Sequence, residues 1–304
     1  MTLRPLALLF TALLALGLTA PEAAHAEDPV VTVTDAGKGK KQKLRFTPKK
    51  GLKESMTMVI DMNMEMAMGG QQMPAQDLPS MTMVMETEVN EVKGDGSFTY
   101  SFKFTKMDVA DSDTLPPSAV EEMRKSLGGM VGMEGHATMT ARGFSRDGDF
   151  VLPETASAEI RETMDNMTQS MDQMVSPLPE EPVGVGAKWT VKTKVSSSGM
   201  KIDQEGHYTL LSLSDDGTME LEVTLTQKAD KQTVDLGAQG SFDLVRYTGG
   251  GAGNTILNLS KIMPVDANID VQNDAGMAMD MGGQAMEMGV KSKVKNTMKG
   301  EVRQ

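Results

Sequence analysis

Ser55-Met56-Thr57-Met58-Val59-Ile60-Asp61-Met62-Asn63-Met64-Glu65-Met66-Ala67-Met68 decides how this chain folds. Every even position is Met except Ile60, while the odd positions are mostly polar. Successive side chains of an extended strand point to opposite faces, whereas a helix would scatter the same residues around its axis. The stretch therefore reads as a long strand with one face almost wholly of methionine. Gly69-Gly70-Gln71 breaks the run. A second strand sets Met81, Met83 and Met85 on one face and ends near Val92, where Gly94-Asp95-Gly96 signals a turn. A third, Ser97 to Val109, alternates Phe98, Tyr100, Phe102 and Phe104, with Met107 one step out of phase.

Two segments depart from period two. Ser118 to Leu127 is a short helix candidate, with Ser118 as cap and Glu121-Glu122 in the first turn. Thr155 to Val175 is the stronger one: Ile160, Met164, Met167, Met171 and Met174 make a one-sided stripe, ended by Pro177, Pro179 and Pro182. Beyond them the pattern is extended again, around Trp189, Val191, Thr193 and Val195, from Tyr208 to Leu213, and along Met219, Leu221, Val223 and Leu225. Gly249-Gly250-Gly251 reads as a flexible loop, and extended runs over Asp266 to Val271, Met277 to Met281 and Met286 to Met298 close the chain.

The two β-rich parts echo one another around Gly94-Asp95-Gly96 and Asp215-Asp216-Gly217, which admits a pair of repeated halves. Leu178-Pro179-Glu180-Glu181-Pro182-Val183-Gly184-Val185-Gly186-Ala187-Lys188-Trp189 resembles the central signature of a family of exported bacterial β-rich proteins of unknown function. The resemblance implies export and a β architecture, and it brings no catalytic or ligand residues with it. Many members of that family look like lipoproteins, a tether that requires a cysteine this chain lacks. In physical terms the prolines end the helix, the glycines permit a turn and Trp189 enters the core.

The composition narrows the classes further. Among 304 residues there are 30 Lys+Arg against 42 Asp+Glu, a net charge of −12, which disfavours nucleic acid as a partner. There is no Cys, so disulfides, thiolate zinc sites and a cysteine nucleophile are excluded. Arg4, the apolar run from Leu6 to Thr19 and Ala24-His25-Ala26 have the form of a signal peptide cut after Ala26. The expected organisation is a signal peptide over 1–26, a polar linker over 27–41 that holds a short strand at Val30 to Val33, a β-rich first half over 42–152, a helix with a Pro-rich connection over 153–182, and a β-rich second half over 183–304. The product is expected to be periplasmic or extracellular and not an integral membrane protein.

The inventory argues against an enzyme. His136 and His207 have no motif-like partners, and no nucleophile elbow, phosphate loop or HExxH helix occurs. Asp266, Asp270, Asp274, Asn268 and Asn273 match no calcium loop and read as a solvated strand face. The anomaly is methionine, at 29 residues. Unbranched thioethers fill irregular gaps, so plain core filling is the simplest reading. A pliable apolar cup is the second. Its expected wall is Met56, Met58, Met62, Met64, Met66, Met68, Met81, Met83, Met85, Met277, Met279, Met281, Met286 and Met288, and its occupant an apolar small molecule or lipid. The third is Cu(I) or Ag(I) capture by Met62, Met64, Met66, Met81, Met83 and Met85, because soft thioethers select soft monovalent metals. Scavenging of oxidants would need exposed methionine. Lys291, Lys293 and Lys295 alternate on the outer face of the last strand, where they read as protection of a sheet edge.

The expected fold is therefore mainly β with one or two helices (α+β): a curved antiparallel sheet, half-barrel or barrel, in one unit or two repeated halves. The expected role is a non-enzymatic exported protein with a Met-rich apolar interior and no cofactor. A Cu(I)-binding periplasmic protein and a purely structural envelope protein are the alternatives.

Overall fold

The structure, a computed structural model, describes residues 29–152, 177–197, 199–235, 240–280 and 285–303. In chain order the elements are β1 Val30–Asp35, β2 Lys38–Gln42, β3 Lys53–Met68, β4 Gln71–Gln72, β5 Gln76–Val92, β6 Phe98–Val109, α1 Pro117–Gly128, β7 Glu134–Met139 and β8 Ser145–Phe150. They continue as β9 Val183–Val185, β10 Lys188–Ser197, β11 Met200–Leu213, β12 Thr218–Ala229, β13 Gln232–Asp235, β14 Ser241–Asn258, β15 Asp266–Asp280 and β16 Ala285–Val302. One antiparallel sheet runs β1-β10-β11-β12-β14-β15-β16-β3-β5-β6-β7-β8, with β13 continuing β12 alongside β14 and β4 folding back on β3. It is not closed, because β1 and β8 are both end strands. The seam between the two parts of the chain is the β16–β3 pair, with Met288 opposite Met68 and Gly300 opposite Met56.

The sheet is curled. The Phe46 amide donates to Ala141 O at 2.7 Å, and the next amide, Thr47, donates to Leu259 O at 2.6 Å. Ala141 lies in the β7–β8 turn and Leu259 just past β14, six places apart in strand order. Laid flat, six steps would separate them by about 29 Å. Two consecutive amides reach both carbonyls only if the sheet bends round on itself.

On β14, Gly249, Gly251 and Gly253 occupy successive inward positions between Tyr247 and Thr255. A Cβ on Gly253 would stand 2.0 Å from Asn268 O, and one on Gly251 would stand 2.6 Å from Asp270 O. Backbone of β15 thus fills the space that side chains would take. The stretch read as a flexible loop is the middle of a strand, and its glycines serve close approach, not mobility.

The base of the curl holds the main core. Phe98, Tyr100, Phe102 and Phe104 from β6, Phe150 from β8, Met56 and Met58 from β3, and Trp189, Tyr208 and Leu221 from the other part form one cluster. Trp189 and Tyr208 stack at 5.6 Å, a contact worth about 1 kcal/mol beyond its buried area. The Pro-rich segment locks this base. Arg45 donates to Pro179 O at 2.8 Å, and Arg142 donates to Leu178 O at 2.9 Å. Glu180 meets Lys43, Arg45 and Arg142 at 3.0, 2.8 and 3.6 Å, and these cations hold its carboxyl below the usual range, the Lys43 hydrogen bond first. Gly184 fits because a Cβ there would lie 2.2 Å from Lys38 O.

Several expectations need correction. The range 27–41 is not simply a linker: β1 pairs with β10 and β2 with β9. The lysines of β16 protect no edge, because β16 lies between β15 and β3. The first helix starts at Pro117 after an uncapped Pro116, so Ser118 lies inside it and not at its cap. Glu121 sits beyond the first turn and pairs with Arg124 at 3.1 Å. The turn at 93–97 and that at 214–218 are alike, with Gly96 and Gly217 both at φ +83°. The same turn recurs at 140–144, so it marks turn chemistry and carries no case for repeated halves. The signal peptide, the helix over 155–175 and Met281 lie outside the described residues.

Among the described residues, Glu54 is the carboxylate buried at the base, 1% exposed and accepting from the Ile262 and Met263 amides at 2.8 and 3.3 Å. Burial pushes its carboxyl above the usual range, opposed by those two donors and by the charge of Lys261. A raised folded pKa contributes stability that is present below the unfolded value and lost as pH rises through the folded one. In urea unfolding, wild type should lose stability relative to Glu54→Gln as pH rises above the ordinary carboxylate range. Glu54→Ala, which strands two buried amides, should cost about 2–3 kcal/mol. Gly253→Ala should cost about 1–3 kcal/mol by the same measurement, because backbone and not a yielding side chain stands in the way.

Candidate functional site

Register sorts the inward side chains of the central strands into rows. Ala267, Met298, Met58, Met83 and Met107 cross β15, β16, β3, β5 and β6 at one level. The next inward row is Ile269, Asn296, Ile60, Met81 and Val109, and the next is Val271, Val294, Met62 and Leu78. Further up lie Ala275, Val290 and Met66, then Met277, Met288 and Met68, then Met279 and Met286. Three methionine arrays distant in sequence therefore share one face of four adjacent strands.

Burial divides that face in two. At the base Met56, Met58 and Met85 are 2, 5 and 3% exposed and belong to the packed core. Met64 and Met288 are buried in a smaller cluster with Leu78 and Val290. Met62, Met66, Met68, Met81, Met83, Met277, Met279 and Met286 are only half-buried. The lower rows are thus packed and the upper ones partly exposed. The six methionines considered for Cu(I) do not face one another as a set. Met81, Met83 and Met85 stand opposite Ile60, Met58 and Met56, while Met62 and Met64 stand opposite Leu78 and Gln76.

A polar belt crosses this apolar wall at one level, and pattern reading of the single strands did not find it. Its members are Gln204, Gln227, Gly249, Asn273, Ser292, Met64 and Gln76, each opposite the next across seven strands. Gln227 Nε2 donates to Gln204 Oε1 at 2.7 Å, and Tyr247 Oη donates to Gln227 Oε1 at 3.1 Å. Burial pushes the Tyr247 phenol up, which keeps it protonated and donating. Two belt oxygens, Asn273 Oδ1 and Gln76 Oε1, are buried without a hydrogen-bond partner. A Cβ on Gly249 would meet Asn273 Oδ1 at 2.3 Å and Gln227 Oε1 at 2.7 Å, so both amide oxygens converge over that glycine. The signal was present only in register: amides at inward positions of four of the seven strands, with Gly249 and Ser292 at the same level.

The outer face is charged and ordered differently. Lys295 stands between Asp270 and Asp61, and Lys291 between Asp274 and Glu65. Such alternation across neighbouring strands supports the register, each opposite-charge pair contributing about 0.2–1 kcal/mol. A shallow depression here is lined by Glu220, Glu222, Asn254, Asp266, Asn268 and Asp270. No three His, Asp or Glu side chains among the described residues are grouped to hold a metal ion. His136 and His207 are both exposed, and His207 Nε2 lies 3.5 Å from Glu205.

Thioether oxidation reads access to sulfur. With limited peroxide, peptide mass spectrometry should find Met62, Met66, Met277 and Met279 converted to sulfoxide well before Met56, Met58 and Met85. Equal rates in the two groups would contradict the division between wall and core.

A family model described as a family of unknown function (DUF6263) matches residues 161–261, a range that contains the Leu178–Trp189 segment. No curated protein matches the chain. The Salmonella typhi OmpF complex with daunomycin aligns at 5% identity over 80% of this chain and 97% of its own, with a TM-score of 0.22. Pseudomonas aeruginosa OpdQ aligns at 7% identity over 85% of this chain and 100% of its own, also at 0.22. Ail, the attachment invasion locus protein of Yersinia pestis, aligns at 7% identity over 82% and 99%, at 0.13. What the chain is similar to by sequence is an uncharacterised family over about a third of its length.

Proposed function

We propose that this is an exported, non-enzymatic protein that holds a hydrophobic, lipid-like molecule against the upper methionine wall. The observation that carries this reading is the half-burial of Met62, Met66, Met68, Met277, Met279 and Met286 on one concave, apolar face above a packed base. A face meant only for core would be closed by its own packing, as Met56 and Met58 are. Thioether side chains re-pack at little cost, which suits a ligand of variable shape. Export is inferred from the leader-like first 26 residues.

The test is binding of an environment-sensitive apolar dye such as N-phenyl-1-naphthylamine to the purified protein, with displacement by lipids. Wild type should bind the dye at micromolar concentrations. Met66→Asp and Met277→Asp should each weaken binding tenfold or more while the thermal transition is retained, since both sites are half-exposed. Absence of dye binding by folded wild type, or binding untouched by both substitutions, would sink the proposal.

A further inference from the structure

The inner face differs from a plain greasy groove in two respects. Among the described residues, no Lys or Arg occupies an inward position of β3, β5, β14, β15 or β16, and the one carboxylate there, Glu54, is buried in the base and engaged by two amides. The face is therefore without charge where a ligand would lie. The second is the amide belt, where the unpartnered Asn273 Oδ1 and the Gln227 Oε1 converge over the bare backbone of Gly249. A buried oxygen without a donor is destabilising, and a ligand hydroxyl or amide N–H would relieve that. Above the belt three further inward rows, about 7 Å apart, make roughly 20 Å of apolar wall.

From this we infer that the ligand is an uncharged long-chain amphiphile whose polar group carries a hydroxyl or amide hydrogen-bond donor, seated at Asn273 and Gln227 with its chain along the methionine rows. The inference rests on the lipid-like reading above and narrows it. A fatty-acid carboxylate, which only accepts hydrogen bonds, would face two acceptor oxygens with no cation to offset its desolvation. A hydroxyl-bearing glyceride donates to those same oxygens and buries no charge. Tyr247 stays committed to Gln227 and is not the donor that the belt lacks.

The experiment compares displacement of the bound dye by monolauroylglycerol, lauric acid and dodecane at pH 8, where the acid is ionised, in wild type, Asn273→Leu and Gln227→Leu. Wild type should prefer the monoglyceride over the acid by at least tenfold. In Asn273→Leu that preference should fall by tenfold or more while the dye and dodecane still bind. Gln227→Leu supplies the same readout should the Asn273 variant fail to fold. Equal displacement by glyceride and acid in wild type, or an undiminished preference in the folded variants, overturns the inference while leaving hydrophobic binding intact. Failure of wild type to bind the dye at all overturns the lipid-like reading and this inference with it.

Discussion

Two adjacent peptide amides, those of Phe46 and Thr47, hold this molecule in its shape. They fasten carbonyls from strands that would lie far apart in a flat sheet, and so make one face of the sheet an inside. Everything else follows from that bend. The aromatic residues of β6 can meet the Trp189–Tyr208 stack only at the base of a curl. The charge cluster around Glu180 strengthens the same place, tying the Pro-rich segment to Arg45 and Arg142. Those ion pairs are partly exposed and worth little singly; their value is that they act where a short chain segment bridges both parts of the sheet.

Methionine is well matched to an inner surface of this kind. Near the base the surface must be packed, and further up it is half open, yet the same strands supply both. A side chain with three rotatable bonds and no branch can serve in a dense cluster at Met56 and as yielding wall at Met66, without a change in strand sequence pattern. Leucine or isoleucine would specify the lower packing better and the upper surface less adaptably. Gly249 of β14 and the amides beside it are the exceptions, and they gather at one level.

Much of the architecture was legible from period alone. Alternation over Ser55–Met68 and over Met219–Leu225 marks strands whose inward faces are where the structure has them, and glycine with aspartate marks the turns. Gly249–Gly251 misled because a glycine run looks the same whether it frees a loop or lets one backbone press against another; only the neighbour, Asn268 O beside Gly253, distinguishes them. The lysines of β16 misled for a similar reason. Alternating charge on the last strand of a sequence reads as an edge, but chain order does not give strand order, and β16 is flanked on both sides. The belt was invisible for a stronger reason: Gln204, Gln227 and Asn273 become neighbours only through register, a long-range quantity that no window of sequence contains.

The placement of β16 also governs assembly. Met288 and its partner Met68 are about 220 residues apart, and the pair sits at the middle of the strand order, so the most distant segments make the central joint. Long-range pairing of this kind is slow to find, because the entropy of a large loop is lost before any contact compensates it. A nascent chain would present β3 with its methionine face bare and one flank unpaired until β16 arrived. Such a sheet is better suited to folding after release of the whole polypeptide than to maturing strand by strand.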